Sequence, residues 1–322
     1  MSCIPSSHLL VIPRLRVQNA NAISSPLTHG FPAMTAFVGL MWALERKLKQ
    51  SGLDIQLDTI GVVCHDHQEQ VTDGGFVKTF RLTRNPVDKA GKTAAIVEEG
   101  RIHLEISLVI GINVESWRDE YFAQIAESLS SMRIAGGTVH PQEKPWLRRY
   151  QPWIVDMTGD EEGRQKKFRE LKRNLLPGFT LVARDDLLDK RFKELQKENP
   201  DAPISRLDAW LSLSRFNWRY STADENDKGG WQHDRKGWIV PIPVGYGALS
   251  DTCPPGSVAN SRDNTTPFRF VESLYSIGEW VSPHRLQCAE QLLWYADSQP
   301  EKGLYRCRND YLSYVVNPAL SS

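Results

Sequence analysis

The chain has 322 residues, enough to bury one large core or two modest ones, and its 40% hydrophobic and 24% charged residues are typical of a soluble globular protein. No apolar run reaches the roughly 20 residues that span a bilayer, so we expect no membrane partner and a cytoplasmic location. The formal net charge is zero, which argues against an autonomous nucleic-acid-binding protein because such proteins are usually basic. Any contact with nucleic acid must be made by a local patch or shared with partner subunits.

The first predicted elements are a strand over residues 8–17 and an amphipathic helix over residues 35–50. Apolar residues at helical spacing form one stripe of this helix, with charged residues beside it, as in a helix that packs on a sheet. The stripe consists of Phe37, Leu40, Met41, Leu44 and Leu48. The loop that leads into the helix is therefore expected to be held by a rigid element.

That loop is polar and turn-prone, and it carries the side chains of Asn19, Asn21, Ser24 and Ser25. Amides and hydroxyls on a fixed loop can hydrogen-bond the base edges and the sugar of a nucleotide. The same residue types also form turns by bonding to their own backbone. Spacing alone favours the turn interpretation, and nucleotide contact is the alternative.

The next predicted elements are a strand at residues 55–64, a strand at 101–111, a helix at 117–129 and a strand at 132–139. In the 101–111 segment apolar and polar residues alternate, which is the clearest strand pattern in the chain. The order strand, helix, strand, strand, helix, strand predicts an α+β fold with a ferredoxin-like, RRM-like core over residues 1–143. This order alone says little about function, because the fold hosts many activities.

An insertion at about residues 65–99 separates the second and third core strands. Gly74-Gly75 predicts a turn, and residues 76–85 are predicted to form an extended arm. The polar side chains of interest on this arm are Lys78, Arg81, Arg84 and Asn85. A projecting hairpin with cations can contact phosphates and a base, but charged residues that merely protect a sheet edge explain the pattern equally well.

Residues 144–322 are predicted to form a mixed helical and extended C-terminal half that packs on the core. A basic helix over residues 164–175 can follow a phosphate backbone, although charge runs usually face solvent. The segments predicted after it are helices at 185–198 and 206–216, a loop at 221–236 and a strand at 238–244. Ser282-Pro283 predicts the start of another helix. The core-facing residues of that helix would be Leu286, Ala289, Leu292, Leu293 and Tyr295.

Motifs for catalysis or cofactor binding are missing from the sequence. There is no dinucleotide, P-loop or hydrolase motif, and the five cysteines are scattered without a Cys-x-x-Cys pair. The Cys-His-Asp-His cluster at residues 64–67 lacks further ligands at zinc-site spacing. His29, His103 and His284 are candidate acid–base groups without a recognisable partner. We therefore predict no catalytic residue, no metal site and no cofactor.

Several long sequence blocks resemble the Csy family of type I-F CRISPR surveillance-complex subunits, the family whose members hold the 5′ handle of the crRNA. The blocks occur in the same order, cover nearly the whole chain, and are far more specific than any short motif. They are NANAISSPLT (19–28), TRNP (83–86), TAAIVEEGR (93–101), LPGF (176–179), PIPVGY (241–246), RFVE (269–272), GEWVSPHR (278–285) and KGLYR (302–306). Within the first region, His29 and Ala33-Met34 depart from the family pattern.

The resemblance implies a RAMP protein with an RRM-like core and a thumb-like hairpin. It implies a non-catalytic subunit of a ribonucleoprotein complex in antiviral defence, since separate nucleases cut the repeats and the target in type I-F systems. The implied partners are the crRNA, the large subunit, the adjacent backbone subunit and, through the assembled complex, target DNA. No cofactor is implied.

The resemblance also indicates which parts would contact RNA. The loop 19–28 would face the handle, the arm 78–85 would be the thumb, and the region 262–285 would add a further RNA or subunit contact. The candidate RNA-binding residues are Asn19, Asn21, Ser24, Ser25, Lys78, Arg81, Arg84, Asn85, Arg101, Arg269 and Arg285. Two alternatives are a metal-independent repeat endoribonuclease that uses His29, and a scaffold that binds only proteins.

Overall fold

The computed structural model describes residues 6–75, 77–84, 87, 90–93, 96–216, 218–221, 229–233, 237–261 and 263–316. The α-helices in these ranges are α1 (Met34–Gln50), α2 (Glu120–Ser130), α3 (Glu161–Asn174), α4 (Asp185–Glu198), α5 (Arg206–Ser214) and α6 (Tyr311–Val316). The strands are β1 (His8–Asn21), β2 (Ile23–Ser25), β3 (Thr28–His29), β4 (Gln56–Glu69), β5 (Val71–Asp73), β6 (Lys78–Phe80), β7 (Leu82–Arg84), β8 (Ile96–Glu98), β9 (Arg101–Asn113), β10 (Arg133–Ile134), β11 (Gly137–His140), β12 (Trp153–Asp156), β13 (Phe179–Ala183), β14 (Trp218–Ser221), β15 (Gly230–His233), β16 (Ile239–Ala248), β17 (Val271–Val281), β18 (Trp294–Gln299) and β19 (Leu304–Asn309).

One large antiparallel sheet of 11 strands organises the described chain, in the order β10-β11-β1-β9-β4-β13-β17-β16-β19-β18 with β12 beside β1. Strand β18 returns to β4, where Trp294 pairs with Ile60. Strands β4, β13, β17, β16, β19 and β18 therefore form a closed circuit, which leaves these strands few open edges. The predicted α+β class is confirmed.

The N-terminal part of this sheet has the order β11-β1-β9-β4, with two crossover helices, α1 and α2. The α1 side chains Phe37, Met41 and Leu44 are fully buried against it, in a core that also contains Ile106 and Leu108 of β9. The amphipathic stripe seen in the sequence is thus the face that packs on the sheet. Strand β1 continues to Asn21 and β4 to Glu69, further than predicted, because bulges interrupt both strands without ending them.

The opposite face of this sheet is covered over only part of its length. There Leu9, Val11 and Val109 pack against Phe168 and Leu171 of α3. Farther along β9 the same face carries His103 and Glu105, which are half-buried, because alternate residues of a strand point to the same side. This arrangement leaves an open polar area on the sheet face.

The insertion is shorter than predicted, since β4 reaches Glu69 and β9 begins at Arg101. The predicted turn at Gly74-Gly75 is confirmed: Gly75 has a φ of +91° and the Gly74 N–H donates to the Val77 carbonyl at 3.0 Å. Residues 78–80 and 82–84 of the predicted extended arm are strands, but they belong to different hairpins, because β6 pairs with β5 whereas β7 pairs with β8. The insertion thus consists of two short hairpins in succession.

The helix predicted from Ser282 is wrong. Two short 3-10 helices, Pro283–Arg285 and Ala289–Gln291, occupy this segment, and β18 follows. The side-chain amide of Asn309 donates to the carbonyls of Gln291 and Leu293, at 3.0 and 2.9 Å. Those carbonyls are therefore not available for helical hydrogen bonds, and the apolar residues reflect burial on several sides rather than a helical period. The helices predicted at 164–175, 185–198 and 206–216 are confirmed by α3, α4 and α5.

Candidate nucleic-acid interface

The polar loop after β1 is held by its own side chains. Asn21 accepts from the Ile23 N–H at 3.0 Å and donates to the Ile23 carbonyl at 2.8 Å, so its amide is engaged locally. The Ser24 hydroxyl donates to the Phe31 carbonyl at 3.2 Å. Ser25 is buried and shares a 2.6 Å hydrogen bond with Thr28. Three of the predicted contact residues therefore have the turn-forming role that spacing favoured.

Asn19 differs from these three. Its backbone has a φ of +57°, a left-handed conformation that asparagine tolerates better than most residues. Its N–H donates to His103 Nδ1 at 3.1 Å, which places the proton of the neutral His103 ring on Nε2. The Asn19 side chain is exposed and makes no hydrogen bond to another described residue. Unlike the Asn21 amide, the Asn19 amide is therefore not engaged locally and can bond to a ligand.

The loop and the hairpins meet at the same end of the sheet. Asn21 pairs with Arg101 at the start of β9, and the Ala22 N–H donates to the Gly100 carbonyl at 3.0 Å. The rings of His29 and Phe80 contact each other edge to face, with centroids 5.6 Å apart. The loop, the hairpin base and Arg101 thus lie together at one end of the sheet.

The cationic side chains near the loop and the hairpins differ in their exposure and in whether they form ion pairs. Lys78 and Arg81 are exposed, and neither makes an ion pair with another described residue, although Arg81 donates to the Gln70 side chain at 3.3 Å. Arg101 forms an ion pair with Glu99 and is one-third exposed. Arg84 lies in β7, and Asn85 falls outside the described residues. Lys78 and Arg81 are therefore best placed to meet phosphates.

The two arginines predicted in the C-terminal half do not join this group in the described structure. Arg269 donates to the carbonyls of Ser250 and Pro300, at 2.8 and 3.4 Å, and so connects two turns. Arg285 is exposed on a 3-10 helix, where its N–H donates to the Ser282 carbonyl at 2.9 Å. Their observed contacts are structural, and neither hydrogen-bonds to the loop or the hairpins.

A cavity of about 710 Å³, which we call the sheet-face cavity, lies on the open polar area and is lined by residues that include Gln18, His67, His103, His140 and Tyr150. His140 donates to the Gln18 side chain at 2.7 Å. Arginine charge here is compensated by ion pairs, as in the 2.6 Å pair of Arg14 with Glu105 beside the cavity. Such a surface suits base edges and ribose hydroxyls better than phosphates.

A second cavity, of about 440 Å³, lies near the start of α1. We call it the aromatic cavity, after Phe31, Phe179, Trp238 and Trp280, which line it. The rings of Phe179 and Trp238 touch, with centroids 4.8 Å apart, and both are exposed. Asp66 and His67, which are neighbours on β4, line both cavities, so the two cavities lie on opposite faces of the sheet, on either side of this strand.

A chain of hydrogen bonds runs beneath the two cavities. The Arg14 N–H donates to Ser107 Oγ at 3.0 Å, Ser107 donates to His65 Nε2 at 2.6 Å, and His65 Nδ1 donates to the Pro177 carbonyl at 2.6 Å. Burial lowers the pKa of His65, and the nearby Arg14 charge acts in the same direction. Burial likewise raises the pKa of the Cys64 thiol, to about 12. Both groups are therefore neutral at physiological pH.

We expect His65 to make folding stability sensitive to acid. An unfolded histidine titrates near pH 6.5, whereas the folded state takes up the proton only at lower pH, so stability is lost as the pH falls below 6.5. Protonation would also leave the Ser107 hydroxyl without its acceptor. The melting temperature measured from about pH 7.5 to 5.0 should fall more steeply for the wild type than for His65→Gln. The exposed His29→Gln control should keep the wild-type slope, and equal slopes in all three proteins would contradict this role.

The cluster at residues 64–67 does not have the geometry of a metal site. His65 uses both ring nitrogens in protein contacts, as described above. Within the described ranges, no group of three or more His, Cys, Asp or Glu side chains is arranged to hold a metal ion. In the same ranges, no helix is long and apolar enough to cross a membrane.

Comparison with known proteins gives the family. The family profile Cas_Csy2, described as CRISPR-associated protein, matches residues 10–307. The chain belongs to the Csy2 family of CRISPR-associated proteins. A relative, CRISPR-associated protein Csy2 of Pseudomonas aeruginosa (strain UCBPP-PA14), is 45% identical over 322 residues, which cover 95% of this chain and 96% of that protein. The resemblance to the type I-F Csy family is confirmed.

Sequence reasoning did not find all of the polar and aromatic surface of this Csy2 family member. Gln18, His140 and Tyr150 line the sheet-face cavity from three different segments. A further exposed feature is the ribbon of β14 and β15, where the rings of Tyr220 and Trp231 pack edge to face across the strands, 5.6 Å apart. The density of aromatic residues in the last third of the sequence was the only signal for the ribbon and for Trp238 and Trp280.

Proposed function

We propose that this chain is a non-catalytic, crRNA-binding subunit of a type I-F CRISPR surveillance complex and that it caps the 5′ handle of the guide. The observation that carries the proposal is the meeting of the loop, the hairpin cations and the sheet-face cavity at one end of the sheet. Amides and ring nitrogens there suit base edges, whereas Lys78 and Arg81 suit phosphates. Few free cations are needed, because partner subunits share the phosphate neutralisation.

The proposal includes a RAMP fold with an RRM-like core. Its support is the strand order β11-β1-β9-β4 with α1 and α2 on one face, since this is the order of a split βαβ sheet. The two hairpins between β4 and β9 would then act as the thumb. The polar half of the opposite sheet face corresponds to the surface that RRM-like modules use for RNA.

The non-catalytic part of the proposal is supported by the surroundings of His29. Its ring contacts the Phe80 ring, and the described residues supply no hydrogen-bonded acid or base beside it. A ribonuclease needs a positioned general base and acid around a 2′-hydroxyl. An edge-to-face ring contact positions the loop against the hairpin instead.

The proposed protein partners are the large subunit and the adjacent backbone subunit, with target DNA reached through the assembled complex. The exposed aromatics of the β14–β15 ribbon support a partner surface in the C-terminal half. Trp218, Tyr220 and Trp231 are each more than half exposed. Soluble monomers rarely leave adjacent large aromatics in water, and such patches mark interaction sites.

The test is co-purification with the other type I-F subunits, followed by end-mapping of the retained RNA. Uniform guides with a protected 5′ handle would support the proposal. Cleavage of repeat RNA without metal, lost in His29→Ala, would support the endoribonuclease alternative. Assembly that needs no RNA would indicate a protein scaffold.

Asn19→Gly tests the exposed loop amide. Glycine accepts the +57° φ of this position, so the variant removes the side chain without straining the backbone. We expect handle affinity to fall about fivefold, the value of roughly one hydrogen bond, with an unchanged melting temperature. Asn260→Gly is the matched control, because Asn260 is also exposed with a φ of +60°. Equal affinities for the wild type and both variants would remove Asn19 from the interface.

A further inference from the structure

One polar atom of a residue that lines the aromatic cavity has no hydrogen-bond partner among the described residues. The residue is Glu69, and the atom is its buried Oε1. A buried acceptor without a donor is costly, and native proteins rarely retain one without a reason. A rotation of the Glu69 carboxylate would turn this acceptor toward the cavity, where a ligand with an N–H group would complete the hydrogen bond.

The walls of the cavity are shaped for a flat ring. Phe179 and Trp238 expose ring surface at its mouth, while Phe31 and Trp280 pack edge to face behind them, with centroids 4.9 Å apart. Its volume of about 440 Å³ falls in the usual range for small-ligand sites. Aromatic surface of this kind stacks with nucleobases.

We propose that the aromatic cavity holds one unstacked nucleobase of the bound guide, and that this base carries an amino group which donates to Glu69. The proposal rests on the proposed function, since it names a subsite for the RNA. Adenine, guanine and cytosine have such an amino group, whereas uracil has none.

The charges of the residues that line the aromatic cavity favour a base over a phosphate. Among the described lining residues there is no Lys or Arg, while Asp66 and Glu69 are carboxylates. The adjacent His65 is neutral and uses both ring nitrogens within the protein. A phosphate would therefore be repelled, and an N–H donor would be attracted.

The position of the cavity fits a base that leaves the strand. Gly30 and Phe31 line it directly after the handle-facing loop, and only Asp66 and His67 of β4 lie between it and the sheet-face cavity on the other face. Beyond Cys64 the outer edge of β4 has no strand partner among the described residues, so an RNA strand that passes this edge can turn one base into the aromatic cavity. The sugar and phosphate of that nucleotide would remain outside, toward the hairpins.

The first test uses the assembled complex with guides that carry 2-aminopurine at successive handle positions. We expect one position to be strongly quenched, because stacking on tryptophan quenches this fluorophore. In Trp238→Ala the quenching should be lost and handle affinity should fall about tenfold. Trp146→Ala is the matched control, because Trp146 is 68% exposed, comparable with 61% for Trp238, and does not line the cavity.

The outcomes separate this proposal from the proposed function. Handle binding with no quenched position and with wild-type affinity in Trp238→Ala would overturn the nucleobase subsite alone. Failure of the wild-type complex to retain a handle would overturn the proposed function, and the subsite with it. Loss of a protein subunit from the Trp238→Ala complex, with quenching unchanged, would assign the cavity to a protein side chain and overturn the base.

The second test addresses Glu69. At the quenched position, an amino-bearing base is compared with its analogue that lacks the amino group. The wild type should prefer the amino-bearing base about fivefold, Glu69→Ala should show no preference, and Glu69→Gln, which keeps a carbonyl oxygen, should retain part of it. An equal preference in the wild type and Glu69→Ala would show that Glu69 does not contact the base.

Discussion

Reversing the two exposed hairpin charges, with Lys78→Glu and Arg81→Glu together, is expected to weaken handle binding by at least about tenfold. Both side chains are exposed, and neither is neutralised by an ion pair within the described residues. Glutamate at these positions would repel the phosphates that the cations attract. The hairpins themselves should persist, because their strands are held by backbone pairing.

The measurement is the affinity for a labelled crRNA, in the complex with the partner subunits, over a range of salt concentrations. Each lost phosphate contact should reduce the slope of log affinity against log salt by roughly one unit, so the double variant should lose about two. Lys166→Glu with Arg169→Glu on α3 is the matched control, because these exposed residues change the net charge by the same amount. If both double variants weakened binding equally, a general charge effect would replace the thumb contact.

The sequence predicted well those elements in which one short segment shows a regular pattern of apolar and polar residues. The stripe on α1 and the alternation along β9 each reflect one buried face, and the structure places both as expected. The extension of β1 past Val17 was not predictable in the same way. It depends on register shifts near Arg14 and Asn19, two residues with positive φ that no periodicity indicates.

The candidate site was predicted in part. The loop and the hairpins meet at one end of the sheet, but Ser25 is buried in a turn and Arg269 connects two turns. Hydrogen bonds of this kind depend on which carbonyls lie nearby, and sequence spacing does not show this. The aromatic cavity was missed for a related reason, since Phe179, Trp238 and Trp280 are brought together by the pairing of β13, β17 and β16, and Phe31 reaches them from the loop before α1.

The residue type at position 309 illustrates how strongly one buried amide can determine local structure. Asn309 is 9% exposed; it accepts from the Ala183 N–H at 3.1 Å and donates to the Gln291 and Leu293 carbonyls. It therefore ties β13, the 3-10 segment and β19 together. This is the same segment in which the apolar spacing wrongly predicted a helix.

Asn309→Leu is expected to lower the free energy of unfolding by about 4 kcal/mol, because it leaves the buried Ala183 N–H and two buried carbonyls without partners, at a cost of roughly 1–3 kcal/mol each, and also removes the acceptor of the Tyr311 N–H. Leucine has a similar branched shape, so the loss would come from hydrogen bonding more than from packing. The measurement is the urea unfolding midpoint.

Asn199→Leu is the control. The Asn199 side chain is exposed and, among the described residues, donates only to the Leu195 carbonyl at the end of α4, so the free energy of unfolding should change by no more than about 0.5 kcal/mol. An Asn309→Leu midpoint equal to that of the wild type would mean that these backbone groups find other partners, and that the non-helical path after Pro283 is fixed by apolar burial alone.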